Sequence, residues 1–430
     1  MNEFLRRIIE DLRSFAGELL DPGLARMGGT GIAVPGGSVR ALIQRAHQLA
    51  RLVPRLIVEL QQESDDFGDH WSREDGTMWS RDPADWVVRE ARLLPRRLWA
   101  PAASATFDTR LVGWVLHVLQ VGAELVRAAE ARLAKQVDEA RQARQLDTSE
   151  SVWADVDERV LHLRSNELAV ARAALERCAR SIVRHAGRSV AACSMPPARL
   201  PAAPVVREFV QAARELVDPQ RRLSVVVTEL LDGEPDAADI PTLYQRWCGI
   251  KLLEEMRGLG WHATGDPVGA LFLAGRVELS GGTDRAELWV EPRIHERRNH
   301  PCGFRKESAG EVTPDFILIV AGLGGPDAFI LDATRTRVEA TLRSKGRYRL
   351  QLVGNAGTLI AGVPVVRRPV RSWAIAPITG RRCVLLDEPG RIGEGLSGVV
   401  PLDPAECHTG ALRAWLRDVD RHARAHANAS

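Results

Sequence analysis

The sequence predicts an α+β protein, with a mainly helical region over residues 1–235 followed by a mixed-sheet α/β domain over residues 236–430. Three observations predict it. Residues 108–146 are rich in Ala, Leu, Arg and Glu, with no Gly or Pro after Gly122, which is the composition of a long helix. Beyond Leu243 the pattern changes to short apolar runs punctuated by glycine, as in alternating strands and helices. Phe316-Ile317-Leu318-Ile319-Val320 is apolar without a break, as expected of a strand buried on both faces.

The elements follow in order. Apolar residues from Leu42 to Leu60 recur at helical spacing. Gln61 to Gly76 is polar and acidic and is expected as a loop, and Asp85-Trp86-Val87-Val88 as the opening of a short helix. Residues 150–188 are expected to form the antiparallel partner of the 108–146 helix. Four prolines between Cys193 and Pro204 break the pattern before a helix over roughly 205–216. Asp232 to Pro241 is the expected boundary. Leu243, Trp247, Ile250, Leu253 and Met256 share a helical face, ended by Gly258 and Gly260. Residues 276–279 and 286–290 flank Gly281-Gly282 as a hairpin. Gly322 to Pro326 turns the chain into a strand at Phe329-Ile330-Leu331. A basic helical stretch over 338–352, a strand over 372–376 and a helix over 403–425 complete the domain.

The 430 residues carry a net charge of only +2, so nucleic-acid binding would need local basic patches. No run of about 18 apolar residues stands out, so no membrane span is expected. The charged start, Met1-Asn2-Glu3-Phe4-Leu5-Arg6-Arg7, does not read as a signal peptide. Six cysteines without a C-x-x-C pair fit reduced thiols in a cytoplasmic protein.

Two acids carry the expected chemistry. Asp315 follows Thr313-Pro314 and precedes the apolar strand, and Asp332 ends the next strand. In a hairpin the two carboxylates would meet at one edge of the sheet. There they could hold Mg2+ or Mn2+ through oxygen ligands, activating water against a phosphodiester. Glu254, near the middle of the apolar helical face, is expected to assist them, and Glu255 to lie on the surface.

Pro314-Asp315 and Asp332-Ala333-Thr334 resemble the two motif elements of the PD-(D/E)xK nucleases. Tyr244-x-x-Trp247 followed by Leu252-Leu253-Glu254 resembles the first helix of the McrC-like branch, nuclease subunits of modification-dependent restriction systems. Trp79, Arg92 to Trp99 and Asp108-Thr109 extend the similarity to roughly residues 75–430. No counterpart of the β-rich N-terminal domain of many such proteins is seen. The resemblance implies a PD-(D/E)xK-like domain, metal-dependent DNA cleavage in restriction or anti-phage defence, and an AAA+ ATPase or GTPase partner. One departure matters: Thr334 stands where the family has its lysine, and a hydroxyl cannot supply that charge. Lys345, on the following helix, is expected to substitute.

Basic residues cluster around this site. Arg297 and Arg298 precede Asp315, and Arg335, Arg337, Arg343 and Arg347 follow Asp332, a distribution suited to a DNA backbone. Gly393-x-Gly395-x-x-Gly398 precedes Val399-Val400-Pro401 rather than a helix and is expected as a loop. Gly28-Gly29-Thr30-Gly31 lacks a phosphate-loop lysine, and His295 and His300 read as part of a polar loop. Two other readings stand beside the nuclease: a degenerate nuclease-fold subunit that binds DNA or the nucleotidase without cleaving, and a structural helical adaptor.

Overall fold

The computed structural model describes the chain except residues 1–2, 20–37, 66–70, 75–76, 81–85, 90–91, 96–108, 147–150, 187–189, 198–199, 201–202, 218–226, 228, 232–237, 282–283, 323–324, 336–338, 355–358, 361–362, 365–367, 387–395, 407 and 426–430. The described residues include ten helices. These are α1 (Glu3–Leu19), α2 (Val39–Asp65), α3 (Thr109–Leu146), α4 (Ser151–Ala186), α5 (Pro204–Val217), α6 (Ile240–Gly258), α7 (Pro267–Leu273), α8 (Glu339–Gly346), α9 (Tyr348–Gln351) and α10 (Gly410–Ala425). An eight-stranded sheet holds β1 (His262–Thr264), β2 (Arg276–Gly281), β3 (Asp284–Val290), β4 (Phe316–Gly322), β5 (Gly325–Ala333), β6 (Arg371–Ala376), β7 (Val384–Leu385) and β8 (Ser397–Pro401).

The chain forms two compact units. One comprises residues 1–41, 128–166 and 223–430, and the other residues 42–127 and 167–222. α1 and the second half of α3 belong to the same unit as the sheet. The 42–127/167–222 unit is largely helical. Trp114 of α3 meets Phe209 of α5 edge-on at 5.9 Å, and Arg45 of α2 pairs with Glu215 of α5 at 2.9 Å. It also holds two short hairpins, Trp71–Glu74 with Thr77–Ser80 and Trp86–Arg89 with Arg92–Pro95. The expected loop over 61–76 thus contains the end of α2 and a strand, and the helix expected from Asp85 is a strand from Trp86. Trp and two valines in a row suit a pleated strand better than a helical turn. By length and composition Arg110–Arg141 could cross a membrane, but 72% of its apolar window is buried within the protein.

In the sheet-containing unit the strand order is β7-β8-β6-β5-β4-β3-β2-β1. β2 to β5 are joined as an antiparallel meander, whereas β5–β6 and β6–β8 pair in parallel. The parallel step from β5 to β6 passes through α8 and α9, as parallel neighbours require a crossover. Strand side chains alternate between faces. Phe316, Leu318, Phe329, Leu331, Trp373 and Ile375 face one core, closed by α1, α6 and α10. Ile317, Ile319, Ala328 and Ile330 face another core with Cys302, Phe304 and Leu352, and Ala374 and Ala376 pack with Leu342 of α8. β4 is therefore buried on both sides, as its continuous apolar run foretold.

Smaller departures have local causes. The 338–352 stretch is two helices, interrupted after Gly346. The terminal helix starts at Gly410 rather than 403. Gly398 lies in β8, not in a loop. A Cβ there would stand 2.8 Å from the Trp373 ring and from the Val384 carbonyl, so close packing accounts for that glycine. Gly393, Gly395, Gly28-Gly29-Thr30-Gly31 and most of the expected 232–241 boundary lie outside the described residues.

Candidate functional site

The β4–β5 register pairs Phe316 with Leu331, which sets Asp315 opposite Asp332 across the end of the hairpin. Alternation puts Asp315 on the side of Ile317 and Ile319, and Asp332 on the side of Ile330, which is the same face. The carboxylates hold each other's strands. The Asp315 amide donates to Asp332 Oδ1 at 3.0 Å, and the Ala333 amide donates to Asp315 Oδ2 at 2.8 Å. Asp332 is fully buried and Asp315 is 8% exposed.

Two ammonium groups meet this pair. Lys345 of α8 is 2% exposed and forms close ion pairs with Asp332 Oδ2 and with Glu139 Oε1, the latter at 2.5 Å. Its backbone is tied down as well. The Ser372 hydroxyl donates to the Lys345 carbonyl at 2.7 Å, and a Cβ on Gly346 would come within 2.6 Å of Ser397 Cβ. Only glycine lets α8 approach the β6–β8 edge this closely. Lys135 of α3 bridges the aspartates, with Nζ 3.4 Å from Asp315 Oδ1 and 3.2 Å from Asp332 Oδ1. Both ammoniums lie near the Tyr348 ring, at 5.6 and 5.9 Å from its centroid.

Glu139, also on α3, accepts from the Thr334 hydroxyl at 3.2 Å. Arg132, Lys135 and Glu139 are spaced i, i+3 and i+7, which aligns them on one face of the helix. Arg132 fixes that face against the sheet by donating to Glu291 at 2.9 Å. Glu291 is also clasped by the fully buried Arg246 at 2.7 Å. The Glu291 backbone sits in the left-handed region at φ 47° and donates to the Asp315 carbonyl at 2.8 Å. That conformation costs a non-glycine residue about 1 kcal/mol or more, so the surrounding bonds must impose it.

The electrostatics follow from this packing. Burial, and then the neighbouring Asp332 charge, push the Asp315 carboxyl up to about 7 against the pull of both lysines. Burial would also raise Asp332, but Lys135 and Lys345 override it and hold Asp332 below its ordinary value. The pair thus shares its charge unequally, with Asp332 the firm carboxylate. Burial opposes the charge of Lys345, yet Asp332 and Glu139 keep its ammonium above the ordinary lysine value. Burial likewise opposes ionisation of Glu291, but Arg132 and Arg246 together lower its carboxyl to about 2.

Asp315, Asp332, Lys345 and Thr334 are therefore brought together, and Glu254 is not. Glu254 pairs with Lys251 at 2.9 Å and its side chain is 40% exposed, whereas its neighbour Glu255 is buried and held by Arg413. The expected burial of the two glutamates is reversed, and neither joins the aspartates. α6 is buried on nearly every side, so its pattern marks no single inward face. Tyr244 and Trp247 of the same helix have structural partners, the Leu402 carbonyl and Asp11. Lys135 and Glu139 were not foreseen. Their only sequence signal is the stripe with Arg132, and comparable charges recur throughout α3.

Among the described residues no three His, Cys, Asp or Glu side chains are grouped as a metal site. Asp315 and Asp332 would supply two ligands, which suffices for Mg2+ when water and phosphate oxygens complete the shell. The expected DNA contacts differ in exposure and in partners. Arg298 and Arg347 are exposed, and Arg297 is exposed beside Glu296. Arg335 is half-buried, and Arg343 is engaged by Glu339 and the Leu386 carbonyl. Arg337 lies outside the described residues. His295 pairs with Glu311, while His300 Nδ1 accepts from the Cys302 amide. No family model, curated protein or solved structure matches the chain.

Asp332→Asn would leave two ammoniums facing a neutral group in a buried site. Urea unfolding at pH 7 is expected to show a loss of about 3–5 kcal/mol. Glu254→Gln is expected to cost less than about 0.5 kcal/mol in the same assay. The Asp315 carboxyl is raised from 3.8 to about 7, so the folded state binds its proton more tightly than the unfolded chain does. That contribution is lost as pH rises from about 4 through 7. Asp315→Asn is therefore expected to melt higher than wild type at pH 8, with the advantage shrinking towards pH 5 in thermal scans.

Proposed function

We propose that this site is the metal-dependent phosphodiesterase centre of a PD-(D/E)xK-like DNA endonuclease, acting as a subunit of a restriction or anti-phage defence system. The observation that carries the proposal is the pair of buried aspartates facing each other across β4 and β5 with the Lys345 ammonium on the second. Asp315 and Asp332 would hold Mg2+ or Mn2+. With Lys135 set aside and Asp315 ionised, as metal binding would require, Asp315, Asp332 and Glu139 stand beside one ammonium, an excess of two negative charges that one divalent ion would balance. Carboxylate oxygens are also the ligands such hard cations prefer. When bound, the ion would supply a water activated as nucleophile and charge stabilisation at phosphorus.

The chain's own residues have separable roles in this scheme. Asp332 stays ionised because two lysines face it. The Ala333 amide fixes the Asp315 carboxylate. Lys345 takes the part that Thr334 cannot, since its ammonium lies against Asp332 and can stabilise charge developing on a phosphate. Glu139 holds Lys345 in place from the α3 side, and Thr334 holds Glu139. Arg298 and Arg347, both exposed, would meet the DNA backbone. A docked AAA+ nucleotidase remains the partner that the McrC-like resemblance implies.

A second reading has its own observation: Lys135 already neutralises the two aspartates, as it would in a subunit that keeps the fold without cleaving. Nicking of supercoiled plasmid in Mg2+ or Mn2+ separates the two, with wild type beside Asp315→Asn. Cleavage by wild type that falls at least about a hundredfold in the variant, with an unchanged circular-dichroism spectrum, is the expected outcome. Salt-sensitive DNA binding by both without cleavage would favour the non-cleaving subunit.

A further inference from the structure

We propose that Lys135 is the resident counter-cation of the Asp315–Asp332 pair, and that a divalent ion binds there only by displacing it. The inference rests on the metal-site reading above and adds a competitor that the chain itself carries. Asp315 Oδ2 is turned to the Ala333 amide and Asp332 Oδ2 to Lys345. Asp332 Oδ1 accepts from the Asp315 amide and keeps a second lone pair, and it and Asp315 Oδ1 both face Lys135 Nζ, at 3.2 and 3.4 Å. An ion sharing those oxygens must lie within about 2.6 Å of each. It would then occupy the space of the ammonium, and two positive centres that close repel strongly.

The two lysines of the site differ in how firmly they are held. Lys345 is 2% exposed, is paired with two carboxylates and sits on a helix pressed against β6 and β8. Lys135 has a side chain 28% exposed and touches its carboxylates at longer distances. It projects from α3 on a flexible four-carbon stem and can swing towards solvent without moving the helix. Arg132, one turn earlier, keeps α3 anchored through Glu291 whether or not Lys135 is engaged. Release would leave Lys135 at the rim of the site, where an ammonium can meet a phosphate. Before release it neutralises the buried aspartates and keeps the centre folded without metal.

Calorimetric titration with MnCl2 tests this on wild type, Lys135→Gln and Lys135→Met. Removing the competitor is expected to tighten Mn2+ binding about tenfold or more, within the usual range of coupling between two ligands. A measurement on wild type alone covers the case in which the variants fold poorly: amine acylation read by mass spectrometry. Mn2+ should raise labelling of Lys135 several-fold and leave Lys345 protected. Equal Mn2+ affinity in wild type and both variants, or Mn2+ binding without a change in Lys135 labelling, would overturn the competition and leave the metal site standing. No Mn2+ binding to any of the three proteins would overturn both.

Discussion

Two peptide N–H groups, each donated to the carboxylate opposite, hold the candidate centre in place. The Asp315 amide is bonded to Asp332 and the Ala333 amide to Asp315. Neither carboxylate can turn away without leaving a buried donor unpaired, which costs about 1–3 kcal/mol. This arrangement requires the register in which Phe316 faces Leu331, because a slip of one residue would send one acid to the opposite face. The register is in turn secured by the two cores on either side of β4 and β5. The apolar layers and the chemistry are therefore one structural problem, solved within the hairpin that runs from Asp315 to Asp332.

Charge then organises what surrounds the hairpin. A pair of buried acids would be expensive to ionise alone. Lys345 arrives from the crossover helix, held by Ser372 below and by the glycine contact at Gly346. Lys135 and Glu139 arrive from α3, whose placement depends on Arg132 and the strained Glu291. Each of the two lysines meets two acids, so the cluster is a network rather than a set of independent pairs. Removing one member should therefore change its neighbours' charge states as well as its own contacts. Burial first, and then the Asp332 charge beside it, raise the Asp315 carboxyl within this network.

Much of this was legible in the residues. A continuous apolar run, a glycine turn and a second apolar run make a hairpin, and period two then places Asp315 and Asp332 together. Lys345 lies on the helix that the crossover demands, so its approach could also be anticipated. The α3 contribution could not. Lys135 and Glu139 are two charges among many on a long helix, and only tertiary docking distinguishes them from Asp138 or Glu130. Glu254 was misjudged because α6 is enclosed nearly all round, where helical spacing no longer marks one inward side. The hairpin at Trp86–Pro95 was missed because a short apolar run fits a strand or a helical turn equally well.

The carboxylate pair is proposed to hold a divalent cation in exchange for an ammonium. Crystals soaked in MnCl2 and measured at a wavelength where manganese scatters anomalously test it most directly. The expected result is one strong anomalous peak within about 2.6 Å of oxygens from both Asp315 and Asp332, with Lys135 turned away and Lys345 still against Asp332. A map with no peak there at millimolar Mn2+, and with Lys135 still between the two aspartates, would contradict it.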